Sequence, residues 1–294
     1  MPLLSTMYKL SIVTAFVASV AHGQQDVTCD NQTLDETYNN VEVTGTCTLS
    51  GATVHGQITS HTGNTINIFD GTFVGGNINV YSGNPLVITG NAANQVVGDI
   101  QSNGQIKIQD GATIGGKIGV YNSNKLVRVW ESTVKSVDVE KAVAVTLKGA
   151  IIENGVRVID SGKILIIPMR NTIPTVIEQG DVLVDDCEFV QIRDTSMPNG
   201  NLVVRSNEEV LVDNVEVGGN AEILDNLLNP GEVDITDTSV DGVLTVKNNN
   251  DVSITGSDGG TLLCESNTMI TGSNNDFDYG QNQCVTFYAT PPPN

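Results

Sequence analysis

The sequence repeats itself about every 20 residues. GGNINVYSGNPLVITGN (75–91), GGKIGVYNSNKLVRVWES (115–132) and GGNAEILDNLLNPGEVDITDT (218–238) share one plan: glycine, a short alternating strand, a turn of Asn, Ser or Gly, and a second strand. Aligning the first inward apolar residue of each unit gives Ile58, Ile78, Ile100, Ile118, Val137, Val156, Val176, Leu202, Ala221, Val243 and Leu262. Such a period, with two or three short strands per unit, predicts an all-β chain coiled as a single-stranded parallel β-helix, or β-solenoid, of about eleven rungs, right-handed as the expected hand. One rung cannot bury its apolar face alone, and stacked rungs bury it against one another about 4.8 Å apart. Ile66 and Ile68, or Ile106 and Ile108, then face inward while Asn67 and Lys107 face out. Val203-Val204 and Val182-Leu183-Val184 break strict alternation and are expected near corners.

Glycine stands two residues before seven of these positions: Gly56, Gly76, Gly98, Gly116, Gly200, Gly219 and Gly260. Glycine fits a corner that needs positive φ or close backbone approach. A core of stacked Val, Ile and Leu also suits a chain that is only 4% aromatic, with Trp130 its one tryptophan.

The ends depart from the repeat. Lys9, the apolar stretch Leu10 to Ala21 and the small-x-small site Ala21-His22-Gly23 read as a secretory signal over residues 1–23. The apolar stretch is too short to cross a bilayer, which takes about 20 residues. Residues 24–48 and 264–294 are expected as caps on a solenoid spanning 49–263. In the oxidising setting that a signal implies, the natural disulfides are Cys29–Cys47 and Cys264–Cys284, leaving Cys187 as a small buried core residue. Asn31-Gln32-Thr33 is an N-glycosylation acceptor in a secreted chain.

The opening Cys29 and Cys47-Thr48-Leu49-Ser50-Gly51-Ala52-Thr53-Val54-His55-Gly56, with the ending Leu262-Leu263-Cys264, Thr271-Gly272 and Asn282-Gln283-Cys284, resembles a group of small secreted microbial proteins. Their pattern is a C…CTLxGATVxG opening, TVGGN-type repeats and an LxC…TG…N…QC ending. Charged insertions between Val176 and Leu202 depart from it. The resemblance implies the solenoid fold and the end disulfides, and no catalytic residues.

Removing the signal leaves 13 basic against 34 acidic residues, a net charge near −21. Nucleic acid is excluded as a partner on that ground, and no segment after the signal is suited to membrane insertion. Extracellular polysaccharide or matrix is the expected partner, and calcium the expected ion if one is bound.

Chemistry is sparse. Polygalacturonase-like enzymes would show Gly-His-Gly and Arg-x-Lys beside an Asp pair. Here Asp185-Asp186 and Arg193-Asp194 stand without either motif. Asp185, Asp186, Arg193 and Arg205 could form the acid-and-base cluster of a lyase only if the coil brought them together. An ice-binding face would repeat Thr outward, whereas Gln57, Asn77, Asp99, Lys117, Asn201 and Glu222 are irregular and charged. Tyr81 and Tyr121, with Trp130 nearby, form a modest aromatic patch. The turn after the second strand carries an acid at Asp70, Asp110, Glu131, Asp186, Asp213, Asp237 and Asp258, and in Asp70-Gly71, Asp110-Gly111 and Asp258-Gly259 this is ordinary turn chemistry. Stacked in successive rungs, Asp186, Asp213, Asp237 and Asp258 would form a strip that attracts calcium. The expected function is a non-catalytic secreted structural or surface-associated protein of wall, matrix or adhesion type. The alternative is a polysaccharide-active enzyme or carbohydrate-binding module of the pectate-lyase-like type.

Overall fold

The computed structural model describes residues 25–61, 63–81, 83–90, 94–170, 173–227, 231–279 and Cys284. The expected signal, residues 1–23, lies outside the described residues. The chain forms a parallel β-solenoid of about twelve turns, all β and without helix among the described residues. Each turn lays one strand in each of three columns, and each strand pairs in parallel with its counterpart one turn on.

Alternation builds the core. In the first column Val27, Val41, Ile58, Ile78 and Ile100 stack in register. In the second column Leu49, Ile68, Ile88 and Ile108 do the same. These inward side chains, the partly buried Val27 apart, are essentially inaccessible. Apolar burial supplies about 25 cal/mol per Å², so a column of branched aliphatics stabilises each rung through the next.

The register corrects the sequence alignment in two places. Val176 belongs to the third column, paired with Ile151, and the first-column residue of that turn is Val182, paired with Val156 and Leu202. Leu244, not Val243, pairs with Ala221 and Leu262. The error at Val176 has a physical cause: the chain leaves the coil after Ile167, Met169 and Ile173 form an antiparallel bridge, and this lengthens the turn. Leu183 and Val203 are not corner residues either, since they pair at mid-strand and face outward.

The coil also starts earlier than the repeat. Val27–Cys29, Gln32–Leu34 and Thr37–Tyr38 are already strands of the three columns. Of the segment 24–48 expected as a cap, the described residues 25–48 are built as rungs. Met269–Ser273 and Asp276–Tyr279 extend the register at the other end. Cys29–Cys47 and Cys264–Cys284 are disulfide-bonded, which fits an oxidising setting.

Each corner turns by its own device. Between the first and second columns, Asn122, Lys141, Asp160, Asp186, Ser206, Asp225, Asn248 and Ser266 adopt left-handed backbone. The buried residue that follows becomes a ladder. Asn226 Oδ1 accepts the Asn207 N–H at 2.8 Å, Asn249 Oδ1 accepts the Asn226 Nδ2 at 2.8 Å, and Asn267 Oδ1 accepts the Asn249 N–H at 3.0 Å. Between the second and third columns, Asp70, Asp110, Glu131 and Asp237 take the left-handed position. Between the third and first, glycines stack. A Cβ on Gly76 would meet Gly56 O, and one on Gly260 would meet Gly242 O. At Gly76 and Gly260 close approach, not positive φ, requires glycine, whereas Gly155 and Gly180 of this corner also adopt positive φ. Beside them, Asn40, Asn77, Asp99 and Asn201 accept backbone N–H groups of the next rung at 2.8–2.9 Å. Asn77, Asp99 and Asn201, read as outward face residues in the sequence, are thus backbone caps.

Candidate functional site

The expected acidic strip is not assembled. Asp186 lies in the corner after the first column, beside Asp185 and Cys187. Asp237 occupies the next corner, and Asp213, within the strand Glu209–Val217, pairs with Thr236 just before that corner. Asp258 is a third-column strand residue between Ser239 and Asp276. The shifted register around 168–174 is what separates Asp186 from the others. Asp213 and Asp237 remain neighbours with Asp194. The Asp213 carboxyl is pushed above its ordinary value by burial first and by Asp194 next, Arg193 opposing and Asp237 adding. Among the described residues no group of three or more His, Cys, Asp or Glu side chains is placed to hold a metal ion.

The four residues of the lyase alternative are likewise divided among three places. Asp185 accepts from Arg205 at 2.8 Å at the end of the first-column strands. Arg193 pairs with Asp194 at 3.3 Å at the far end of the second. Asp186 occupies the corner between those columns. Cys187 is buried, and burial pushes its thiol up to about 12. Asp186, Asp185 and Asp160 add to that rise against a hydrogen bond with the Ser161 backbone. A thiol so placed stays protonated and is a poor nucleophile.

The outward side of the first column carries a polar cluster centred on Asp138. Arg157 donates to it at 2.8 Å, Tyr121 at 2.8 Å and Lys117 at 3.2 Å. Burial works to raise this carboxyl, but the bonds from Arg157, Tyr121 and Lys117 outweigh it and hold it below the ordinary range. The Tyr121 hydroxyl is raised, by burial first and then by its bond to Asp138. It therefore stays protonated near neutrality. The ring lies over Gly119, where a Cβ would press against it. This cluster ties three rungs together, with each charge answered.

Towards the N-terminal end the same face opens into a hollow of about 420 Å³ lined by Asp26, Thr28, Asn40, Glu42, Gln57, Thr59 and His61. The His61 and Tyr81 rings stack at its edge, centroids 5.3 Å apart. The Thr59 hydroxyl is buried without a hydrogen-bond partner. Tyr81 and Tyr121 do hold equivalent positions, but the rung bearing Asn103 separates them, and Asn103 donates to the Tyr81 carbonyl at 2.8 Å. Trp130 faces out from the second column, its ring 5.5 Å from the Arg128 guanidinium. The hollow escaped the sequence reading because Thr28 and Glu42 lay in the segment taken as a cap. Exposed Asn31 accepts the Thr46 N–H at 3.0 Å through its amide oxygen.

No protein-family model matches the chain, and neither a curated protein nor a solved structure shows significant similarity to it.

Proposed function

We propose that this chain is a secreted, non-catalytic structural rod of an extracellular surface or matrix. The observation that carries the reading is the use made of its polar groups. Asp138 with Arg157, Asp185 with Arg205 and Lys247 with Glu265 each tie neighbouring rungs. The buried asparagine ladder and the corner caps do the same for the backbone. These groups are committed to stiffness, not converged on a reacting atom. Twelve steps of about 4.8 Å make a rod on the order of 60 Å long. Secretion agrees with the disulfides and the signal-like N-terminal sequence, and modification at Asn31 belongs to the same reading.

A second reading, a carbohydrate-binding module, is favoured by the hollow beside His61 and Tyr81, where the unpaired Thr59 hydroxyl would suit a hydroxyl-bearing ligand. Incubating the purified protein with acidic and neutral polysaccharides separates the possibilities. The rod reading expects neither turnover nor retention. Retention lost in Thr59→Val would favour the module, and turnover would overturn both.

A further inference from the structure

The outward side of the second column is divided by charge. Its strands Ile106–Gln109, Leu126–Trp130, Ala144–Lys148 and residues 163–167 carry Lys107, Arg128, Lys148 and Lys163 and no carboxylate. The strand segments 209–213, 232–236 and 251–255 carry Glu209, Asp213, Glu232, Asp234 and Asp251 and no base. Among the described residues none of those four cations is in an ion pair, nor are Lys125, Lys135 and Arg170 elsewhere, whereas Lys117, Lys141, Arg157, Arg193, Arg205 and Lys247 are. Lys163 instead rests over the Phe189 ring, 4.7 Å from its centroid. Cations left unpaired, in a chain with 34 acidic residues, invite an outside partner.

The two halves meet at the rung of Phe189 and Gln191, and the register is symmetric about it. Phe189 pairs with Lys163 on one side and Glu209 on the other. Leu165 and Leu211 flank Gln191 in the same way. One step further, Thr146 answers to Asp234 and Ala144 to Glu232. We propose that this face docks a second copy of the chain, the coils antiparallel about a two-fold axis along the Phe189–Gln191 rung. That operation keeps each strand position and reverses the rung order. It sets Lys163 of each copy against Glu209 of the other, Leu165 against Leu211, and Phe189 and Arg193 each against itself. Lys148, Arg128 and Lys107 fall opposite Thr236, Ser253 and Thr271 within the acidic half, so Lys163–Glu209 is the one residue-for-residue ion pair. An isologous interface requires such self-complementarity.

The patch is large enough. Nine rungs from Ile106–Gln109 to Met269–Ser273, at about 4.8 Å each and about 16 Å wide, offer roughly 700 Å² per copy, or about 1,400 Å² in all. Specific interfaces bury about 1,200–2,000 Å². The inference is independent of the rod reading, because an enzyme or a binding module could dimerise through this face equally well.

Sedimentation velocity of the mature, disulfide-intact protein tests it. A dimer is expected at low salt, weakening as salt rises because the outer charges are screened. Lys163→Glu and Glu209→Lys should each weaken association at least about tenfold, since each alters two symmetric contacts. The double variant Lys163→Glu/Glu209→Lys should restore it, with circular dichroism unchanged in all three. A parent that stays monomeric at low salt overturns the proposal. So does a double variant that associates no better than either single one. A monomer that instead retains a polyuronate through Lys107 and Arg128 would overturn it in favour of a polysaccharide partner.

Discussion

Cys29 and Cys264 occupy the same inward position of the first column, at its first and thirteenth levels, joined by an unbroken register through Val43, Ser60, Val80, Ser102, Val120, Val139, Val158, Val184, Val204, Ile223 and Val246. Each closes a loop, of 18 and 20 residues respectively, near one end of the described coil. Closing loops of this size is worth about 3 kcal/mol in the chain-entropy account. Replacing both Cys29 and Cys47 with Ala should lower stability by about 2–4 kcal/mol. Amide exchange should then rise in the first rungs while the rungs of Val120 and Val139 stay protected.

Asn226 is fully buried, accepts from the Asn207 backbone and side chain, and donates to Asn249. Asn226→Ala leaves two Asn207 donors without an acceptor. At about 1–3 kcal/mol for each stranded group, a loss of about 3 kcal/mol is expected. Denaturant unfolding measures it, and Asn226→Ser should recover part of the loss.

Asp138 and Asp213 should respond to pH in opposite senses. The Asp138 carboxyl is depressed when folded, so its contribution is present above the unfolded value of 3.8 and is lost as pH falls through the folded one. Asp138→Asn should therefore destabilise at pH 7, by about 1–2 kcal/mol given partly exposed partners, and much less at pH 3. Asp213 is raised when folded, so its ionisation weakens the fold as pH rises past 3.8. Asp213→Asn should raise the melting temperature at pH 7 and leave it unchanged at pH 3. A calcium-dependent stabilisation that vanished in Asp213→Asn would instead show that the carboxylates of Asp194, Asp213 and Asp237 share an ion.

Cys187 should resist thiol reagents at pH 8 until the protein unfolds, because burial first, then nearby carboxylates, push its ionisation up to about 12. The unfolded thiol ionises near 9, so the stability it preserves is full below that and falls as pH rises towards 12. Melting curves across that window should decline less in Cys187→Ala than in the parent.

Much of this fold was legible from residue spacing. Nine first-column positions from Ile58 to Leu262 were placed by apolar alternation alone, because an inward Ile or Val between polar neighbours has one face to go to. Both misplacements carried an unused signal. Gly180 stands two residues before Val182, and Gly242 two before Leu244, as Gly76 does before Ile78. The stacking that makes a Cβ on Gly242 meet Gly219 O also makes that spacing a marker of register. The sites were less legible, because an acid near a turn can sit on any of three corners, and one displaced rung moves it. Asp186 changed corner for that reason. The Asp138 cluster was invisible because Lys117, Tyr121, Asp138 and Arg157 meet only when three successive rungs are laid side by side.

A coil whose strands pair only with the turns before and after has no element that spans its length, so tension on its two ends is borne one rung at a time. Pulled from its termini, the molecule should pay out like thread from a spool, at a nearly level force, except at the knots. The loops Cys29–Cys47 and Cys264–Cys284 hold back 18 and 20 residues of slack, together about 130 Å of extended chain. A reductant would release that length without moving the plateau, and the spool would simply run out later.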